Sequence, residues 1–108
     1  MGAGDRRPER LTGPVAGTLE ELEAVLVSRR TDPPAGSYSA TLLADREQAQ
    51  RKIMEEAFEL CLELGRPAID AERTAEEAAD LLFHALTGLV GAGVPLADVL
   101  AVLERRRR

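Results

Sequence analysis

The sequence has no tryptophan, one tyrosine and two phenylalanines, so aromatics make up only 3% of its 108 residues. A core built on so few rings must rest on Leu, Val, Ile and Ala, a palette that suits packed helices. Cysteine is nearly absent too. The lone Cys61 excludes an intrachain disulfide and a cysteine-based zinc site. Its helical position puts it on an apolar arc, where a core thiol in a reducing compartment is expected. No apolar run approaches the roughly 18 residues that a membrane span requires. No signal-peptide core opens the chain, and a cytoplasmic protein with no membrane partner is expected. Positive charge is also scarce: 14 Lys and Arg stand against 19 Asp and Glu, a net charge of −5. Phosphate neutralisation needs a basic surface, so nucleic acid is not the expected partner. There is no internal repeat and no strand-type alternation.

What is there reads as helices and their stops. Residues 1–17 hold four Gly, two Pro and three Arg without periodicity, and are expected as a disordered tail. The remaining residues, 18–108, are enough for one domain. Thr18-x-x-Glu21 forms a capping box before the Leu19, Leu22, Leu26 stripe, and Asp32-Pro33-Pro34 ends that helix near Arg30. Residues 31–43 read as a connector whose centre, Ser37-Tyr38-Ser39, holds the single tyrosine. It is either a lid on the bundle or a ligand-binding loop. Asp45 with Gln48 caps a second helix, which Gly65-Arg66-Pro67 stops. A third helix starts between Asp70 and Thr74 and ends by Gly91 or Gly93. Pro95 fits the first turn of a fourth, carrying Leu96, Val99, Leu100 and Leu103. The expectation is an all-α fold of four helices. Their apolar arcs exceed what one short chain can cover, which implies a homodimer that completes the bundle.

The second and third helices carry the chemistry. At the 3.6-residue turn Lys52, Glu56, Glu59 and Glu63 fall within about 60° of one another. Arg73, Glu77, Asp80 and His84 share a stripe on the third helix. One such acidic pair is ordinarily a solvated face, or, for Glu77, part of a Thr74 capping box. Asp70 is an equally good cap one turn earlier and would free Glu77. Two pairs on consecutive helices, each beside apolar residues, describe four carboxylates converging inside a bundle. Oxygen donors of that kind suit a hard cation.

Lys52-x-x-Glu55-Glu56-x-x-Glu59 followed by Glu77-x-x-Asp80 resembles the signature of the all-α nucleotide pyrophosphohydrolases, the MazG-like superfamily. Leu19-Glu20-Glu21-Leu22, Ser37-Tyr38-Ser39-Ala40-x-Leu42 and Glu77-Ala78-Ala79-Asp80-Leu81-Leu82-Phe83-His84 narrow the resemblance to its phosphoribosyl-ATP pyrophosphatase family, over roughly residues 18 to 105. Ser39 and Phe83 depart from the usual Thr and Tyr, and Cys61 to Pro67 is atypical; none of these is a carboxylate of the motif. The resemblance implies a MazG-like bundle and Mg²⁺-dependent hydrolysis of phosphoribosyl-ATP to phosphoribosyl-AMP and pyrophosphate, a step of histidine biosynthesis. It implies Glu56, Glu59, Glu77 and Asp80 as metal ligands, with Glu55 and Glu56 as the catalytic carboxylates. Ser37, Tyr38, Lys52 and His84 would contact substrate, and His84 could alternatively orient the Asp80 carboxylate. A house-cleaning hydrolase of free nucleoside triphosphates is the alternative within the superfamily. A helical dimerisation module with a solvated acidic strip is the alternative outside it.

Overall fold

A computed structural model describes residues 17–107. Apart from Gly17, the tail expected over 1–17 lies outside the described residues, as does Arg108. Helices α1 (Thr18–Thr31), α2 (Tyr38–Ala44), α3 (Arg46–Leu64), α4 (Ala71–Gly91) and α5 (Leu96–Arg106) make up the fold, with no strand among the described residues. The all-α expectation stands, but with five helices among the described residues in place of four. The extra one, α2, lies where a connector was expected. Ser37 caps it by accepting from the Ala40 amide at 3.2 Å, and Leu42 and Leu43 are buried beneath it. Seven residues are too few to print a helical period on a sequence, and burial supplies the stability that length does not.

The stops fall close to where sequence chemistry puts them. Asp45 accepts from the Gln48 amide at 3.2 Å and starts α3; Asp70 accepts from the Arg73 amide at 3.1 Å and starts α4. With Asp70 in that role, Glu77 is free of capping duty. At the start of α1, Thr18 is already helical. The cap is Gly17, at φ 82, a left-handed conformation that glycine adopts without a Cβ penalty.

Helices α3 and α4 form the hairpin on which the site is built. Glu63 meets Arg73 near the turn, Glu56 and Glu59 meet Glu77 farther along, and Ile53 meets Gly88 at the open end. That order makes the two helices antiparallel. A Cβ on Gly88 would lie 3.1 Å from Ile53 Cδ1, so glycine lets the helices approach closely. The main core lies between α4 and its other neighbours: Leu26, Leu43, Leu86, Val90 and Leu96 are buried together, with Leu22 and Phe83 packed against them. Two polar contacts tie the ends together. The Leu96 amide donates to Glu23 Oε2 at 2.8 Å, and the Arg30 guanidinium donates to the Val90 carbonyl.

The outer face of α3 is left bare. Met54, Phe58 and Leu62, spaced by one turn, are 72%, 64% and 53% exposed, and Leu64 and Leu82 are exposed as well. Cys61 belongs to this uncovered side and is exposed, not the core thiol expected. The apolar arc of α3 is wider than the α4 contact, so its C-terminal residues have nothing among the described residues to pack on. No single helix among the described residues is long and apolar enough to cross a membrane.

Candidate active site

Helical spacing and hairpin register together bring Glu56, Glu59 and Glu77 to one point. One carboxylate oxygen from each lies within 4.8 Å of the others. Glu56 is buried, Glu77 half-buried and Glu59 exposed, so the cluster opens from the helix–helix seam towards solvent. Oε1 of Glu56 and Oε1 of Glu77 are buried without a hydrogen-bond partner among the described residues. A buried carboxylate oxygen left unpartnered is costly, and such groups are rare in folded proteins. Glu77 responds as physics requires. Burial, then the neighbouring charge of Glu59 and a hydrogen bond shared with it, push its carboxyl above the usual range; Asp80 and Glu56 push the same way. Asp80 follows one turn later on α4 and is exposed, outside the close set of three.

Two buried, unpartnered oxygens on members of one carboxylate cluster fit a divalent hard cation, which takes oxygen ligands and cancels the repulsion. Glu63, although on the same stripe of α3, takes no part. Its buried carboxylate accepts from Arg66 Nε at 2.9 Å and from Arg73 Nη2 at 3.2 Å, and it is held below the usual carboxylate range mainly by Arg66. The Arg73 expected beside Glu77 is thereby turned to the hairpin end.

Lys52 borders the cluster. Its ammonium lies 3.1 Å from Glu55 Oε1 and 3.4 Å from Glu56 Oε2, and the hydrogen bond to Glu55 is the main reason its pKa is raised. Glu55 is exposed and faces Lys52, offset from the three clustered carboxylates. Glu56 thus pairs one oxygen with Lys52, and its other is buried without a hydrogen-bond partner among the described residues.

His84 is buried one turn beyond Asp80. Its Nδ1 lies 2.7 Å from the Asp80 carbonyl oxygen, which can only accept, so Nδ1 carries the proton. It therefore holds the main chain of Asp80, and the alternative in which it orients the Asp80 carboxylate is not the contact made. On the other side, Nε2 is 2.9 Å from Tyr38 Oη, and in the neutral ring it accepts the phenol proton. Phe83 packs edge-on to His84 and stacks with Tyr38 at 6.5 Å. Ser37, the other substrate candidate of the loop, is the α2 cap; its Oγ is also 3.1 Å from Ser39 Oγ. Ser39 in turn accepts from Arg29 Nη1 at 3.1 Å. Arg29 is the residue that sequence reasoning passed over, because it reaches this loop from the far end of α1 and no local pattern marks it.

Fold and cluster together define an all-α protein with a carboxylate centre in the seam of a helical hairpin. The family model for phosphoribosyl-ATP pyrophosphohydrolase matches residues 19–107. A phosphoribosyl-ATP pyrophosphatase from Rhizorhabdus wittichii is 44% identical over 93 residues, covering 85% of this chain and 86% of that protein. One from Methanoculleus marisnigri is 41% identical over 93 residues, covering 83% and 94%. The histidine biosynthesis trifunctional protein of Neurospora crassa is 46% identical over 88 residues, which are 82% of this chain and 10% of that protein. The chain belongs to the phosphoribosyl-ATP pyrophosphohydrolase family.

Proposed function

We propose that the protein hydrolyses phosphoribosyl-ATP to phosphoribosyl-AMP and pyrophosphate, a Mg²⁺-dependent step of histidine biosynthesis. The observation that carries this reading is the pair of buried, unpartnered oxygens on Glu56 and Glu77 within the three-carboxylate cluster. Glu56, Glu59 and Glu77 would hold Mg²⁺, with Asp80 as the fourth carboxylate at the open edge. When bound, the ion supplies charge neutralisation for the phosphates and a lowered pKa for coordinated water. The chain's own residues do the remainder. Lys52 stays charged beside Glu56 and offers a cation to the polyphosphate. Glu55, outside the ligand set and open to solvent, is placed to take a proton from the attacking water. Tyr38 and His84 brace each other at the mouth of the site, where Tyr38 presents a ring and a hydroxyl to the rest of the nucleotide.

Two further elements belong to this reading. The bare face of α3 suits a homodimer that completes the bundle. A substrate built on ATP suits a cytoplasmic enzyme. The alternative is hydrolysis of free nucleoside triphosphates, and the Ser37–Tyr38–Ser39 loop, folded against Phe83 and His84, favours the larger substrate. Pyrophosphate release from phosphoribosyl-ATP, dCTP and dUTP, each with Mg²⁺ and with EDTA, decides between them. Release from phosphoribosyl-ATP with Mg²⁺ at far greater kcat/KM is expected. Preference for dCTP or dUTP would establish the alternative, and no release from any of the three would leave a non-catalytic module.

A further inference from the structure

Beside the acidic centre lies a second, differently charged space. A cleft of about 420 Å³ is lined by Arg29, Gly36, Ser37, Tyr38, Ser39 and Phe83 among others. The basic groups at the carboxylate centre and the hairpin turn are ion-paired: Lys52 with Glu55 and Glu56, Arg66 and Arg73 with Glu63. Arg29 makes one hydrogen bond, to the neutral hydroxyl of Ser39, and has no carboxylate in ion-pair distance among the described residues. A guanidinium has five N–H donors, so most of its capacity is unspent. The hydroxyls continue the arrangement. Ser39, buried and anchored by Arg29, can donate to Ser37 Oγ, which also accepts from the Ala40 amide. That leaves the Ser37 proton available to a ligand. Gly36, at φ 74, keeps this wall of the cleft free of a side chain.

The substrate of the proposed reaction carries phosphate at two ends, a triphosphate on one ribose and a single phosphate on the other. Bare phosphate is repelled by a carboxylate cluster and needs a cation of its own. Tyr38 connects the two spaces, since it lines the cleft and its hydroxyl reaches His84, one turn from Asp80. Resting on the proposed activity, we infer that this cleft is an anion subsite for the phosphate of the phosphoribosyl arm, with Arg29 as its charged partner and Ser37 as its neutral one. A planar guanidinium matches two phosphate oxygens at once, which gives both affinity and orientation. The subsite would separate phosphoribosyl-ATP from ATP itself, which has nothing to place there.

The test compares phosphoribosyl-ATP with ribosyl-ATP, the same molecule without the distal phosphate, in the parent, Arg29→Gln and Arg29→Lys. Arg29→Gln is expected to raise KM for phosphoribosyl-ATP by about 10- to 100-fold, the range for charge-assisted hydrogen bonds, with little change in kcat. Ribosyl-ATP should show that high KM already in the parent and no further rise in Arg29→Gln. Arg29→Lys should recover part of the loss. An equal rise for both substrates, or none for either, overturns the subsite. Binding of ribose 5-phosphate, followed by NMR on the full chain in EDTA, provides a readout independent of turnover. Saturable shifts at Ser37 and the Arg29 side chain are expected in the parent, and their absence counts against the subsite even if a variant fails to fold. If the parent binds ribose 5-phosphate through Arg29 but does not hydrolyse phosphoribosyl-ATP, the proposed activity fails and the anion subsite stands.

Discussion

Glu77 carries the electrostatic strain of the centre. Its carboxyl is pushed above the usual range by burial and by Glu59, so ionising it costs more in the metal-free fold than in the unfolded chain. The sign follows from linkage. Stability from this group is fully present below the ordinary glutamate pKa and is lost as pH rises through the elevated value. At neutral pH in EDTA, the fold therefore bears a charge it would rather neutralise. Glu77→Gln keeps the shape and removes the charge. It is expected to raise the melting temperature in EDTA at pH 7 by a few degrees, with the gain vanishing below about pH 4. Thermal unfolding of parent and variant across that range checks this. A variant less stable than the parent at pH 7 would show that the carboxylate is a favourable surface charge. Lys52 and His84 show the same economy at single positions. Lys52 shares its one ammonium between Glu55 and Glu56, and His84 divides its two ring nitrogens between the Asp80 carbonyl and Tyr38.

At the scale of elements, register decides whether the carboxylates meet. The Glu63 clamp to Arg66 and Arg73 fixes the turn end of the α3–α4 hairpin, and Gly88 under Ile53 fixes its open end. Between these points Glu56 and Glu59 fall opposite Glu77. A slip of one residue on either helix would rotate the carboxylates by about 100° and disperse them. The opposite face of α3 has no such partner among the described residues. Burying a phenylalanine or leucine side chain is worth about 1.5–3 kcal/mol, so Met54, Phe58 and Leu62 together represent a large unrealised gain. A second copy of the chain realises it in the proposed homodimer. Phe58→Glu is expected to convert a dimer to a monomer in sedimentation at micromolar concentration. A parent that already sediments as a fully active monomer would remove the dimer from the account.

Across the whole molecule, the parts legible in the sequence are those determined by nearby residues. The ends of α3 and the start of α4 follow from Asp45, Gly65 and Asp70, whose effects reach one turn. Glu56, Glu59 and Glu77 could be gathered in advance because i, i+3 spacing fixes a helix face. Features that depend on a distant partner were not legible. Glu63 shares the spacing of the acidic strip, yet Arg73 of the next helix claims it. Arg29 acquires its place only when the end of α1 folds beside the Ser37–Ser39 turn. Helix α2 depends on buried Leu42 and Leu43 more than on any period of its own, and Cys61 faces outward because α4 covers only part of the apolar arc.

The proposed activity depends on the carboxylate cluster being a Mg²⁺ centre that serves hydrolysis. Pyrophosphate release from phosphoribosyl-ATP, measured across a Mg²⁺ titration for the parent and for Glu56→Gln, tests it most directly. The parent is expected to be inactive in EDTA and to gain activity saturably with Mg²⁺. Glu56→Gln should lose more than the roughly 10- to 100-fold that removal of a residue merely supporting a metal ligand costs, and added Mg²⁺ should not restore it. Near-parental release by Glu56→Gln, or parental release unchanged in EDTA, would contradict the claim and leave the cluster a solvated acidic face.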